Sequence, residues 1–197
     1  MTSILGICGF AGSGKDTLAN YLIQEHGYIK LSFAGAVKDA CSAIFGWDRA
    51  MLEGDTKESR AWREVEDSWW SARLGMPGFS PRKALQMLGT DIMRNHFHED
   101  IWIAVIENKL RMYSKVVITD CRFPNEIAMI QRLGGKILHI TRGELPNWFY
   151  GVQHGTATPP TNVHVSETAW IPSTLNAIHI PNNTSLENLY KAIDSTF

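Results

Sequence analysis

The segment Gly9-Phe-Ala-Gly-Ser-Gly-Lys-Asp-Thr17 constrains this chain more than any other. It has the spacing G-x-x-x-x-G-K and follows the short apolar run 4–9. It opens a stretch, 15–26, in which Leu18, Ala19, Leu22 and Ile23 recur at helical spacing before Gly27. Strand, glycine-rich loop and helix in that order turn several backbone N–H groups toward one centre at a helix N-terminus, which attracts phosphate oxygens. Gly12, Ser13, Gly14, Lys15, Asp16 and Thr17 are the expected holders of the phosphates of ATP, with Lys15 reaching the β and γ groups. The residue after the lysine is Asp16, where this motif ordinarily has Ser or Thr, and the hydroxyl follows one place later at Thr17. Asp16 and Thr17 are therefore the candidate Mg2+ ligands. Asp16 either holds the ion through water or only supplies favourable charge in the first helical turn.

The rest of the chain continues the alternation. Strands are predicted over 28–34, 116–119, 136–141 and 177–180, and helices over 37–45, 81–97, 102–110 and 125–133. Thr184-Ser-Leu-Glu187 reads as a capping box opening a final helix. Such alternation implies an α/β fold of three layers, a mainly parallel sheet covered on both faces, with ligands at the carboxyl ends of the strands. Between 47 and 80 the text changes to Trp47, Trp62, Trp69 and Trp70 among dense charges. We read one domain, 1–197, with its core at 1–46 and 98–197 and an inserted helical lobe at about 47–97. The aperiodic, proline-bearing segment at about 143–163 is read as a lid-like loop.

With 197 residues, 44% of them hydrophobic, the chain can bury a real core. A net charge of −1 offers no field for a nucleic-acid polymer, and no apolar run nears the ~18 residues that span a bilayer. The expectation is a cytoplasmic protein acting on small anions. Cys8, Cys41 and Cys121 lack metal-ligand spacing and read as buried thiols.

Asp120 ends a buried apolar strand, where a carboxylate approaches magnesium or the acceptor; the alternative is an Asp that caps the following turn. Arg122 either clamps phosphates or pairs with Asp120 or Glu126. Arg60, Arg63, Arg73, Arg82 and Lys83 beside the tryptophans fit a substrate with an aromatic base and a phosphate, or simply surround a small core. His164 and Glu167 read as a polar edge.

The blocks SGKDT, FAGAVKDA, ALQMLGTD, DCRFPNE and HVSE, with a further likeness at 182–189, occur in an order that resembles the phage-type deoxynucleoside monophosphate kinases. The resemblance implies a nucleoside monophosphate kinase-like fold and γ-phosphoryl transfer from ATP to a deoxynucleoside monophosphate. It also implies a homodimer, working in host cytoplasm if phage-encoded. Lys15, Arg122 and Asp120 would be catalytic, and Arg82 would join Arg122 on phosphates. Trp62 and Asp91 would meet the acceptor nucleoside, with Lys38, Gln86 and Glu126 completing the acceptor set. The stretch between the second helix and Pro81 is shorter than in that family, so base preference does not carry over. Competing readings are a P-loop kinase of another phosphorylated metabolite, phosphomevalonate-like, and a nucleotide-binding switch. Acceptor-dependent turnover separates them.

Overall fold

The computed structural model describes residues 2–163 and 165–196. The chain forms two compact units: Met1–Phe33 with Ile106–Phe197, and Ala34–Val105.

The first unit is built on a sheet of five parallel strands: β1 (Ser3–Cys8), β2 (Ile29–Leu31), β3 (Lys115–Ile118), β4 (Lys136–Thr141) and β5 (Ile178–Pro181), in the order β2-β3-β1-β4-β5. Alternation along β1 divides the faces. Leu5 and Ile7 join Leu18 and Leu22 of α1 (Lys15–His26) and Leu189 and Ile193 of α10 (Leu186–Asp194) in one apolar cluster. The opposite side of β1 receives α8 (Pro124–Arg132). A side chain at Gly6 would sit 2.6 Å from Ile130 Cδ1, so glycine is what lets that helix approach. Leu18 and Leu22 are fully buried, each contributing about 1.5–3 kcal/mol. The chain reverses its direction of winding around β1, with β3 on one side and β4 on the other. Loops after β1, β3 and β4 therefore gather at one edge, the switch point at which such sheets bind ligands.

β2 is shorter than the predicted 28–34, because Ser32 and the Phe33 N–H turn to the Asp120 carboxylate and leave the ladder. The final helix begins one residue later than expected: Ser185, not Thr184, caps it by accepting from the Asn188 N–H at 3.3 Å. The segment expected as a featureless lid contains α9 (Phe149–Gln153), whose Phe149 and Val152 are buried. Phe10 meets Phe149 and Trp170 edge-on, and those two rings lie tilted against each other, which pins this helix beside the start of the phosphate loop.

The second unit holds α2 (Gly35–Phe45), α3 (Arg49–Glu53), α4 (Lys57–Glu64), α5 (Ser68–Leu74), α6 (Pro81–Gln86) and a π-helical stretch, Met87–Phe97, before α7 (Ile101–Leu110) begins. It extends beyond the 47–97 read from composition because α2 packs on α3, on α6 and on the π stretch. Its interior is aromatic. Phe45 stacks on Trp47 at 4.5 Å, Trp47 Nε1 donates to Asp67 at 2.8 Å, and Trp70 Nε1 donates to the Phe45 carbonyl at 3.1 Å. The expected α-helix over 81–97 widens after Gln86, where Trp102 Nε1 donates to the Gly89 carbonyl at 2.8 Å. Among the described residues no helix is long and apolar enough to cross a membrane.

Candidate functional site

The loop between β1 and α1 owes its shape to glycines. Gly14 has φ +104°, and a Cβ there would lie 2.4 Å from Asn182 Nδ2. At Gly9 a Cβ would meet the Ile140 carbonyl at 2.4 Å, so β1 can turn into the loop against β4 only without a side chain. Ser13 is 4% exposed, and its Oγ is buried without a hydrogen-bond partner among the described residues. A buried hydroxyl normally finds a partner, and a phosphate oxygen is one that this loop is shaped to supply.

Lys15 Nζ donates to the carbonyls of Gly9 at 2.7 Å and Phe10 at 2.8 Å, so the ammonium spans the mouth of the loop. Its pKa is lowered, first by burial and then by the positive charge of Arg122, with Asp16 and Glu167 opposing. Two cations held within electrostatic reach of each other favour an anion between them. Arg122 Nη1 donates to Glu167 Oε1 at 3.2 Å, with both side chains substantially exposed. An exposed pair of this kind is worth less than about 1 kcal/mol and is easily exchanged for a phosphate. Of the two readings of Arg122, phosphate clamp or ion pair with Asp120 or Glu126, the side chain's exposed pairing with Glu167 leaves the first available. His164, expected to share this polar edge, lies outside the described residues.

Glu126 is 2% exposed and accepts from the N–H groups of Arg122 at 2.8 Å and Phe123 at 3.1 Å, so it fixes the turn that presents the arginine. Asp120 accepts from Ser32 Oγ at 2.7 Å and the Phe33 N–H at 3.0 Å, which ties the end of β2 to the turn after β3. Asp16 projects outward, its side chain 72% exposed and 3.4 Å from Lys30, while Thr17 is half-buried in the first turn of α1. No cluster of three or more acidic, histidine or cysteine side chains fit for a metal occurs among the described residues. Asp16 and Thr17 supply oxygen atoms of the kind that magnesium takes, at the start of the helix that follows the loop. A hollow of about 280 Å³ lies beside the loop, lined by Phe10, Gly12, Ser13, Ile140, Arg142 and Pro146.

Of the acceptor candidates, Lys38, Trp62, Arg82, Gln86 and Asp91 lie in the second unit, and Glu126 lies in the first. Lys38 Nζ is bound to Glu53 at 2.8 Å, and Arg49 donates to the same carboxylate at 2.6 Å. Although burial opposes ionisation of Glu53, its hydrogen bonds to the two cations pull its pKa down to about 2. Trp62 stands edge-on to Trp47 at 6.3 Å, Arg82 is 3.7 Å from Glu64, and Gln86 and Asp91 are exposed. Arg63 Nε is buried without a partner among the described residues, beside the backbone of Gly54. Sequence reasoning gave no role to Asn182, which bonds the phosphate loop; the signals were an Asn pair after a strand and the family likeness that begins there.

Residues 51–193 match the family model described as deoxynucleotide monophosphate kinase. A relative from Acanthamoeba polyphaga mimivirus is 31% identical over 206 residues, covering 98% of this chain and 94% of its own. The deoxynucleotide monophosphate kinase of Escherichia phage RB69 is 27% identical, with 97% of this chain and 98% of that protein aligned. In fold the chain is similar to dephospho-CoA kinase from Campylobacter jejuni, with a TM-score of 0.51 and 12% identity, covering 100% of this chain and 96% of that one. With a phosphate loop, paired cations at the sheet edge and a family match over most of its length, this chain belongs to the deoxynucleotide monophosphate kinases.

Proposed function

We propose that the protein transfers the terminal phosphoryl group of ATP to a deoxynucleoside 5′-monophosphate, giving the diphosphate and ADP, with Lys15 and Arg122 neutralising the transferring group. The observation that carries this reading is a glycine loop bridged by Lys15, which donates to the Gly9 and Phe10 carbonyls, with a buried Ser13 hydroxyl that has no described partner. Phosphoryl transfer asks for little covalent chemistry, so rate comes from alignment and from charge placed where negative charge develops. Backbone N–H groups of 12–17 hold the donor phosphates, and the hollow beside Arg142 takes part of the donor nucleoside. Asp120 is assigned first to holding the end of β2 and the Arg122 turn in register. Trp62, Arg82, Gln86 and Asp91, with Lys38 behind them, are assigned to the acceptor.

Thr17 Oγ1 and, through water, Asp16 would hold a magnesium ion, which would supply charge neutralisation at the phosphates. The exposed residues 154–158 form the part of the 143–163 segment that moves as a lid, α9 remaining anchored by Phe149. As the family resemblance implies, the active assembly is a homodimer.

The test is ADP formation with ATP and magnesium, offering each deoxynucleoside monophosphate, the ribonucleotides and phosphomevalonate in turn. Diphosphate from at least one deoxynucleotide is expected. Turnover with phosphomevalonate alone, or ADP release indifferent to every acceptor, would refute the proposal.

A further inference from the structure

β5 ends at Pro181, and the next residue sits against the phosphate loop. The Asn182 N–H donates to the Thr141 carbonyl at 2.8 Å, which continues the β4–β5 ladder by one bond, while its Nδ2 donates to the Ser13 carbonyl, also at 2.8 Å. The approach is close, since a Cβ on Gly14 would fall 2.4 Å from that same nitrogen. Its neighbour Asn183 accepts from the Gly143 N–H at 2.6 Å, so the turn after β5 grips both the phosphate loop and the root of the 143–163 segment.

A trans peptide points its carbonyl and its N–H to opposite sides. Holding the Ser13 carbonyl toward β5 therefore aims the Gly14 N–H away from β5. Glycine on the C-terminal side of this peptide, at φ +104°, leaves the unit free to rotate unless something outside the loop fixes it. We propose that Asn182 is a positioning residue for phosphoryl transfer: its side-chain amide locks the Ser13–Gly14 peptide so that the Gly14 N–H faces the donor phosphates. This rests on the reading of the loop as the donor site. Asn182 is anchored by its own backbone bond to β4, so the amide is delivered by the sheet and not by a flexible chain. A residue that only filled space here would be replaceable by any side chain of similar shape. A residue that orients a peptide must keep a donor.

Asn182→Leu and Asn182→Asp keep much of the shape and remove the donor. Calorimetric titration with Mg·ATP and steady-state kinetics with the preferred deoxynucleotide should show ATP binding and turnover weakened by about tenfold or more. The acceptor KM should stay within about twofold and the melting temperature should be nearly unchanged. The Asp variant should be the worse of the two, since an ionised carboxylate only accepts hydrogen bonds and also repels the donor phosphates. If the Leu variant does not fold, Asn182→Ser, short of reach but polar and small, should show the same loss of ATP affinity. Donor binding within twofold of wild type in the foldable variants, or equal losses for donor and acceptor, would overturn the proposal. If wild type binds ATP but turns over no acceptor, and the variants bind ATP less tightly, the kinase reading falls while the role of Asn182 stands.

Discussion

His139 ties the stability of the protein to pH through one buried ring. It lies in β4, 5% exposed, stacked on Phe149 at 5.4 Å with Trp170 at the same distance, and its Nε2 is buried without a partner among the described residues. Burial, reinforced by His179, lowers its pKa from the ordinary 6.5 to about 4. Below pH 6.5 the unfolded chain takes up a proton that the folded protein refuses, so stability falls as pH drops and stops falling near pH 4. Linkage between those two values gives almost no penalty at pH 7 and about 2 kcal/mol at pH 5. Wild type should thus lose about 2 kcal/mol more between pH 7 and pH 5 than His139→Phe, which keeps an aromatic ring but cannot titrate. Urea unfolding at both pH values measures the difference, and the histidines remote from His139 cancel because they are common to both proteins. Equal losses in the two proteins would refute the reasoning, since they would mean that His139 charges as easily folded as unfolded.

Three other substitutions test the site. Lys15→Ala should lower kcat/KM by about 10³-fold or more and change stability by less than about 1 kcal/mol, because the fold already disfavours that ammonium; near-normal turnover would exclude Lys15 from the chemistry. Asp120→Ala removes the acceptor of two bonds and should cost about 2–3 kcal/mol in urea unfolding, Asp120→Asn distinctly less; equal effects would deny the tether. Glu126→Ala should leave the Arg122 and Phe123 N–H groups unpaired and cost about 2–3 kcal/mol. A variant as stable as wild type would show that those amides find other partners.

The phosphate loop was legible because everything it needs is local. Glycine spacing, an apolar run before it and helical periodicity after it all lie within the first 26 residues. β1 and β4 were equally plain, being buried and apolar. Where boundaries slipped, a tertiary partner had intervened. Phe33 has the side chain of a strand residue, but its N–H serves Asp120, 87 positions away. α9 is five residues long and held by rings, too short to display a period, so its segment read as open loop. The widening of Met87–Phe97 coincides with Trp102 reaching the Gly89 carbonyl, and no helical pattern announces that.

The tryptophans show why acceptor chemistry is harder to read than donor chemistry. Trp47, Trp62 and Trp70 occur in one charge-rich stretch and invite one explanation, yet Trp47 is 8% exposed in a packed aromatic interior, while Trp69 is 62% exposed. Composition cannot separate the ring that builds a core from the ring that meets a base, because both bury apolar area against neighbours chosen by the fold. The arginines divide in the same way. Arg49 is committed to Asp39 and Glu53, Arg82 has only a long exposed contact to Glu64, and Arg63 has a buried nitrogen without a described partner. A phosphate is recognised by backbone amides that a short motif can encode. A base must be recognised by side chains brought together from several helices, and there the sequence lists the candidates while packing decides which of them remain available.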